Sequence, residues 1–112
     1  MSRQEILISL VQLDASVAVL KTALATFGWD SDPLATLTRS DLISVLQRFS
    51  DGELDCSTVE AWANLIEGRE DIQFEPGHEE TVANAVHDLA NPQLQGQLQA
   101  MTPMVLDRLA RG

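Results

Sequence analysis

Residues 2–27 read SRQEILISLVQLDASVAVLKTALATF, and this stretch decides the fold. Ile6, Leu10, Leu13, Val17, Leu20, Leu24 and Phe27 recur at spacings of four and three, the period of a helix with one apolar face. Leu7, Val11 and Ala18 widen that stripe. Ser2 and Glu5 fit a capping box, in which the serine oxygen accepts from the third backbone N–H and the acid reaches back to the cap. Gly28 stands where such a helix would end. The pattern predicts one long first helix of about six turns, the central member of a bundle. Two alternatives share these residues: a dimerising coiled coil along the same seam, and a strand over Ile6–Leu13, where β-branched residues gather.

Beyond it, Trp29-Asp30-Ser31-Asp32-Pro33 is a turn-rich connection. A second helix is expected from Asp41 to about Ser50, with Leu42, Val45, Leu46 and Phe49 at helical spacing. Thr38 and Asp41 make a capping pair at its start, with Leu37 and Leu42 at the hydrophobic-staple positions, and Asp51-Gly52 closes it. A third helix spans about Thr58 to Glu67, started by a capping box at Ser57 and Glu60 and ended at Gly68. Val59, Trp62, Ala63 and Ile66 form its apolar face. Residues 69–77 read as an acidic loop in which Ile72 and Phe74 alternate with polar residues, and Pro76-Gly77 ends any extended piece there. A fourth helix runs from about Glu79 to Ala90, with Glu79 and Glu80 in the first turn, where the helix dipole favours acids. After Asn91-Pro92 and a Gln-rich connector, Thr102-Pro103 opens a last helix to Arg111. The expectation is an all-α, single-domain bundle of about five helices over residues 1–112.

Of a net charge of −10, −9 falls between Asp51 and Glu80, where ten acids face one base, Arg69. A field that concentrated selects and steers cationic partners. It argues against nucleic acid and anionic membrane surfaces, which need clustered Lys and Arg. The chain has seven bases, none adjacent. No apolar run approaches the roughly 20 residues that span a bilayer, and the N-terminus lacks a signal-peptide pattern, so a cytoplasmic location is expected.

Motifs for chemistry are weak. Asp51-Gly52-Glu53-Leu54-Asp55 alternates acids as a calcium loop does, but Cys56 and Trp62 occupy the positions that demand Gly and Glu. Glu70–Glu80 with His78 is rich in ligand-capable groups yet shows no ligand spacing, so metal binding is the lesser alternative. Cys56 is the sole cysteine and sits between Asp55 and Ser57, an acidic setting in which a reactive nucleophile is not expected. The acids flank loops and helix starts, where they stay exposed and ionised, and His87 reads as a surface residue beside the Val86 stripe. No enzyme and no cofactor are expected. Trp62 is expected in the core, whereas Trp29, between polar turn residues, is a candidate exposed anchor for a partner. Arg69 is expected to pair with Glu70 or Glu67.

The words Gly52-Glu53-Leu54, Trp62-Ala63-Asn64-Leu65-Ile66-Glu67-Gly68-Arg69-Glu70-Asp71-Ile72 and Leu89-Ala90-Asn91-Pro92 resemble the layout of a group of small, mostly uncharacterised bacterial all-helical proteins. In size, acidity and helical layout these are similar to bacteriocin-type and polymorphic-toxin immunity proteins. The resemblance covers residues 38–98, contains no catalytic motif and transfers no functional residue. It implies a protein-binding module, an inhibitor of a cationic partner such as a nuclease toxin. The residues expected to bind the partner are Glu53, Asp55, Glu67, Glu70, Asp71, Glu75 and Trp29. The alternative is a structural or self-associating helical protein that pairs through the first seam; the chain is expected to be a monomer or a homodimer.

Overall fold

The computed structural model describes residues 2–27, 33–67, 69–91 and 98–111, with the backbone alone for 98–101. Among the described residues, six helices and two short strands follow in the order α1 Arg3–Gln12, α2 Val17–Leu24, β1 Ala35–Leu37, α3 Arg39–Ser50, α4 Cys56–Ile66, β2 Ile72–Phe74, α5 Glu79–Ala90 and α6 Leu98–Arg111. The Cα radius of gyration, 13.2 Å, is close to the roughly 2.2·N^0.38 Å of one compact unit of this length.

The expected single first helix is two helices. Leu13 adopts left-handed backbone (φ 49°, ψ 50°), and its N–H closes α1 onto the carbonyl of Leu10. Ser16 then caps α2 by accepting from the N–H of Val19 at 3.2 Å. Tertiary partners hold the break. The indole N–H of Trp62 donates to the Leu10 carbonyl at 2.6 Å, and Arg48 Nη1 donates to the Leu13 carbonyl at 3.0 Å. Carbonyls in the last turn of a helix have no partner within it, and a cation there is favourable. The 4-and-3 spacing survives the break because both helices cover the same core: Ile6, Leu10, Leu13, Leu20 and Leu24 are all buried. Val17 and Phe27, the other two seam residues, are half-buried and packed against the same core. Ile6–Leu13 is helical up to Gln12, which excludes the strand reading.

The chain is mostly helical, as expected, and the short strand pair is its one element type that an all-α reading leaves out. β1 and β2 are parallel, with Ala35 opposite Ile72 and Leu37 opposite Phe74. The pairing continues at both ends, where the Leu34 N–H donates to the Asp71 carbonyl at 2.9 Å and the Glu75 N–H to the Leu37 carbonyl at 3.0 Å. Parallel strands need a crossover, here supplied by α3 and α4. Thr38 ends β1 and starts α3 with a complete capping box, Thr38 and Asp41 each accepting from the other's backbone N–H.

Two expected helix starts move. Asp55, not Ser57, caps α4 by accepting from the N–H of Thr58 at 2.8 Å, so Glu60 has no capping duty. Pro103 lies inside α6 rather than at its first position, and Thr102 is buried. Gly52 (φ +83°) turns the chain out of α3, and Asp51–Glu53 is an interhelical turn. α4 packs most extensively on α5, and α3 on α6. Trp62, fully buried, fills the centre with Leu7, Leu10, Leu46 and Leu89. Gly28, Trp29, Gly68 and residues 92–97 lie outside the described residues.

Candidate interaction surface

The acids between Asp51 and Glu80 divide by what each one touches. Asp71 is withdrawn from the surface. Its side chain is fully buried, where it accepts from Arg3 Nε at 3.0 Å and Nη2 at 2.8 Å, and from Arg69 Nε and Nη2, both at 2.9 Å. Burial raises its pKa, but the hydrogen bonds and charges of Arg69 and Arg3 outweigh it and hold the carboxyl below the ordinary range. The expected binding role of Asp71 is therefore corrected to a buried ionic centre. Arg69, itself buried, pairs with Asp71 rather than with Glu70 or Glu67. Buried charges need paired partners, and this cluster ties the start of α1 to the approach to β2. Arg3 also lies over the Phe27 ring, 5.5 Å from its centroid.

Glu75 accepts from the backbone N–H of Arg39 at 2.9 Å and from its Nε at 3.1 Å. These bonds hold its carboxyl below the usual range. Glu53 pairs with Arg48 and stays largely exposed. Glu67 Oε2 lies 2.9 Å from Nδ1 of His87, joining the ends of α4 and α5 at the surface.

The other six, Asp51, Asp55, Glu60, Glu70, Glu79 and Glu80, make no ion pair among the described residues, and all but the half-buried Glu60 are exposed. Asp55 is held below the usual carboxylate range by its hydrogen bonds from Thr58, so it is ionised at neutral pH. Asp51 follows the last turn of α3, where the helix dipole disfavours an acid. Of the residues expected to bind a partner, Asp55 and Glu70 thus stand unpaired at the surface. Glu53, Glu67 and Glu75 are engaged, and Trp29 lies outside the described residues. The capping box expected at Ser57 and Glu60 does not form, so the position of the α4 cap frees Glu60 from that role.

Beside the first acids of this set lies a groove of about 540 Å³ between the end of α3, the α3–α4 turn and α6. Phe49, Leu54, Cys56, Pro103 and Leu106 supply its walls and Asp55 its acidic member. Composition gives no sign of it, because its walls come from residues about 50 positions apart. No group of three or more His, Cys, Asp or Glu converges among the described residues, and His78, the cap position of α5, makes no side-chain cap bond. Among the described residues, no helix is long and apolar enough to cross a membrane. Comparison with protein families, with curated proteins and with solved structures finds no match for this chain.

Proposed function

We propose that this protein is a non-enzymatic binding module that covers a cationic surface of a protein partner, in the manner of an immunity or antitoxin inhibitor of a basic nuclease. The observation that carries this reading is the set of six carboxylates left without an ion pair after every arginine in reach has been used. Arg3, Arg39 and Arg48 join Arg69 against this segment, which reduces its local charge from −9 to −6. A residual field of that size steers and retains a basic partner. Asp51 adds weight, because the dipole of α3 gives no structural reason for an acid there. A nuclease cleft collects bases to hold phosphate, which makes it the cationic surface such a field fits best.

The test is co-expression of the chain with the product of each gene adjoining its own, followed by purification at low salt. A basic polypeptide that co-purifies supports the reading when its affinity falls by about tenfold or more for the variant Asp51→Asn, Glu60→Gln, Glu70→Gln, Glu80→Gln. Unchanged affinity for that variant refutes it.

A further inference from the structure

The groove between α3 and α6 carries an inference that rests on the proposed reading of a cationic protein partner and specifies the part of the partner that is recognised. Phe49, Leu54, Cys56 and Leu106 are each half-buried, packed on the core with one side open, and Pro103 is exposed. The volume lies within the roughly 300–1,000 Å³ of sites that take up apolar groups. The same short turn that contributes Leu54 carries Asp51, Glu53 and Asp55, and Arg48 at the end of α3 is already spent on Glu53. No Lys or Arg lines the groove. An apolar floor beneath an acidic rim is complementary to a segment with apolar residues on one face and cations beside them.

The form of that segment follows from the walls. They are side chains of two helices and a turn, with no strand among them, so the groove offers no strand edge to an extended peptide. An occupant must satisfy its own backbone, which a helix does. A second copy of this chain is a poor occupant, since its net charge of −10 opposes the rim. We propose that the groove is the docking site for a basic amphipathic helix of a protein partner. Its apolar anchors sit between Phe49, Leu54, Pro103 and Leu106, and its cations face Asp51 and Asp55.

The test uses the full chain and two synthetic probes. One is a Leu/Lys amphipathic peptide of about four helical turns; the other has Ser for every Leu and so the same charge without an apolar face. Fluorescence anisotropy gives the affinity of each, and N-ethylmaleimide modification of Cys56, the only cysteine of the chain, reports occupancy of the groove. The Leu/Lys peptide is expected to bind and to slow modification of Cys56, and the Ser/Lys peptide to do neither comparably. Pro103→Lys, which places a cation in the groove and removes a helix-interior proline, is expected to weaken binding about tenfold. Gln47→Lys, the same charge on an exposed α3 position outside the groove, should change it little. Asp55→Asn keeps a competent helix cap while removing the charge, and should also weaken binding. Equal binding of both peptides with no effect of Pro103→Lys overturns the groove and leaves the cationic-partner reading standing. Failure of both peptides to bind also overturns the groove, and the co-purification experiment then decides the broader reading by itself.

Discussion

Replacing Asp71 by Asn tests whether the buried ionic cluster is the keystone of the strand-pair end of the fold. The carboxylate accepts four short N–H bonds from two guanidinium groups, with its own side chain fully buried and that of Arg69 nearly so. Asn preserves the volume and one acceptor oxygen but removes the negative charge that lies between the two guanidinium groups. Removing one partner of a buried ion pair costs about 3–5 kcal/mol. The value should fall toward the lower end, since Arg3 is 19% exposed and can recover part of its hydration. Against a total stability of about 6–17 kcal/mol for a chain of this length, such a loss moves the melting temperature down by about 12–20 °C. Circular dichroism during thermal and urea unfolding measures both quantities. Acid supplies an independent check of sign. The folded pKa of Asp71 is depressed, so its contribution is complete above the unfolded value of about 3.9 and is lost as pH falls through the folded value. The gap between wild type and Asp71→Asn should therefore be widest near neutrality and narrow below about pH 4. A loss under about 1 kcal/mol at pH 7, or a gap that does not shrink in acid, refutes the argument.

The remaining predictions concern the helix break and the surface. Ser16→Ala should cost about 0.5–2 kcal/mol by urea unfolding, because Ser16 caps α2; in an uninterrupted helix the same change would be neutral or stabilising. Arg48→Ala should cost about 1–2 kcal/mol through the freed carbonyl at Leu13, whereas Glu53→Ala, whose carboxylate is mostly exposed, should stay within about 0.5 kcal/mol. A larger effect for Glu53→Ala than for Arg48→Ala would show that the surface pair, not the cap, is what Arg48 supplies. Asp51→Asn, measured the same way, should be neutral or slightly stabilising, and a clear loss would give that acid a structural duty.

The fold was legible wherever a local device acted alone. The capping pair of Thr38 and Asp41, the α5 bounds at Glu79 and Ala90, and the core position of Trp62 all follow from short-range chemistry that nothing distant contradicts. The break after α1 was hidden because its cause is tertiary. Asp14 and Ser16 sit as easily on the wet side of one long helix as between two short ones, and only Trp62 and Arg48, about 35–50 residues away, make the second arrangement better. The strand pair was hidden for a different reason: three residues such as Ala35-Thr36-Leu37 are too few to display a period of two. Thr102-Pro103 points to a helix start because proline is favoured at a first helical position and costs a backbone bond further in, yet here Pro103 is the sixth residue of α6.

The same distinction governs the acidic segment. Counting charges along the chain identified where the negative field arises, but it weighted Asp71 and Glu70 alike, neighbours with opposite fates. Asp71 is consumed inside by Arg3 and Arg69, while Glu70 stays in water. Arginines remote in sequence select which acids are neutralised, and they select those that tie elements together: Asp71 joins α1 to β2, Glu75 joins β2 to α3. Function is therefore best sought among the acids that the fold does not use. This inverts the direction of a charge-reversal experiment, since Lys at Asp71 or Glu75 would unfold or loosen the protein and lose a partner for reasons unrelated to recognition. Substitutions at Asp51, Glu60 and Glu70 remove field without removing structure, and Glu80→Gln adds only the loss of a first-turn dipole interaction in α5. A partner that still binds when those four are neutral is not held by the acidic surface at all.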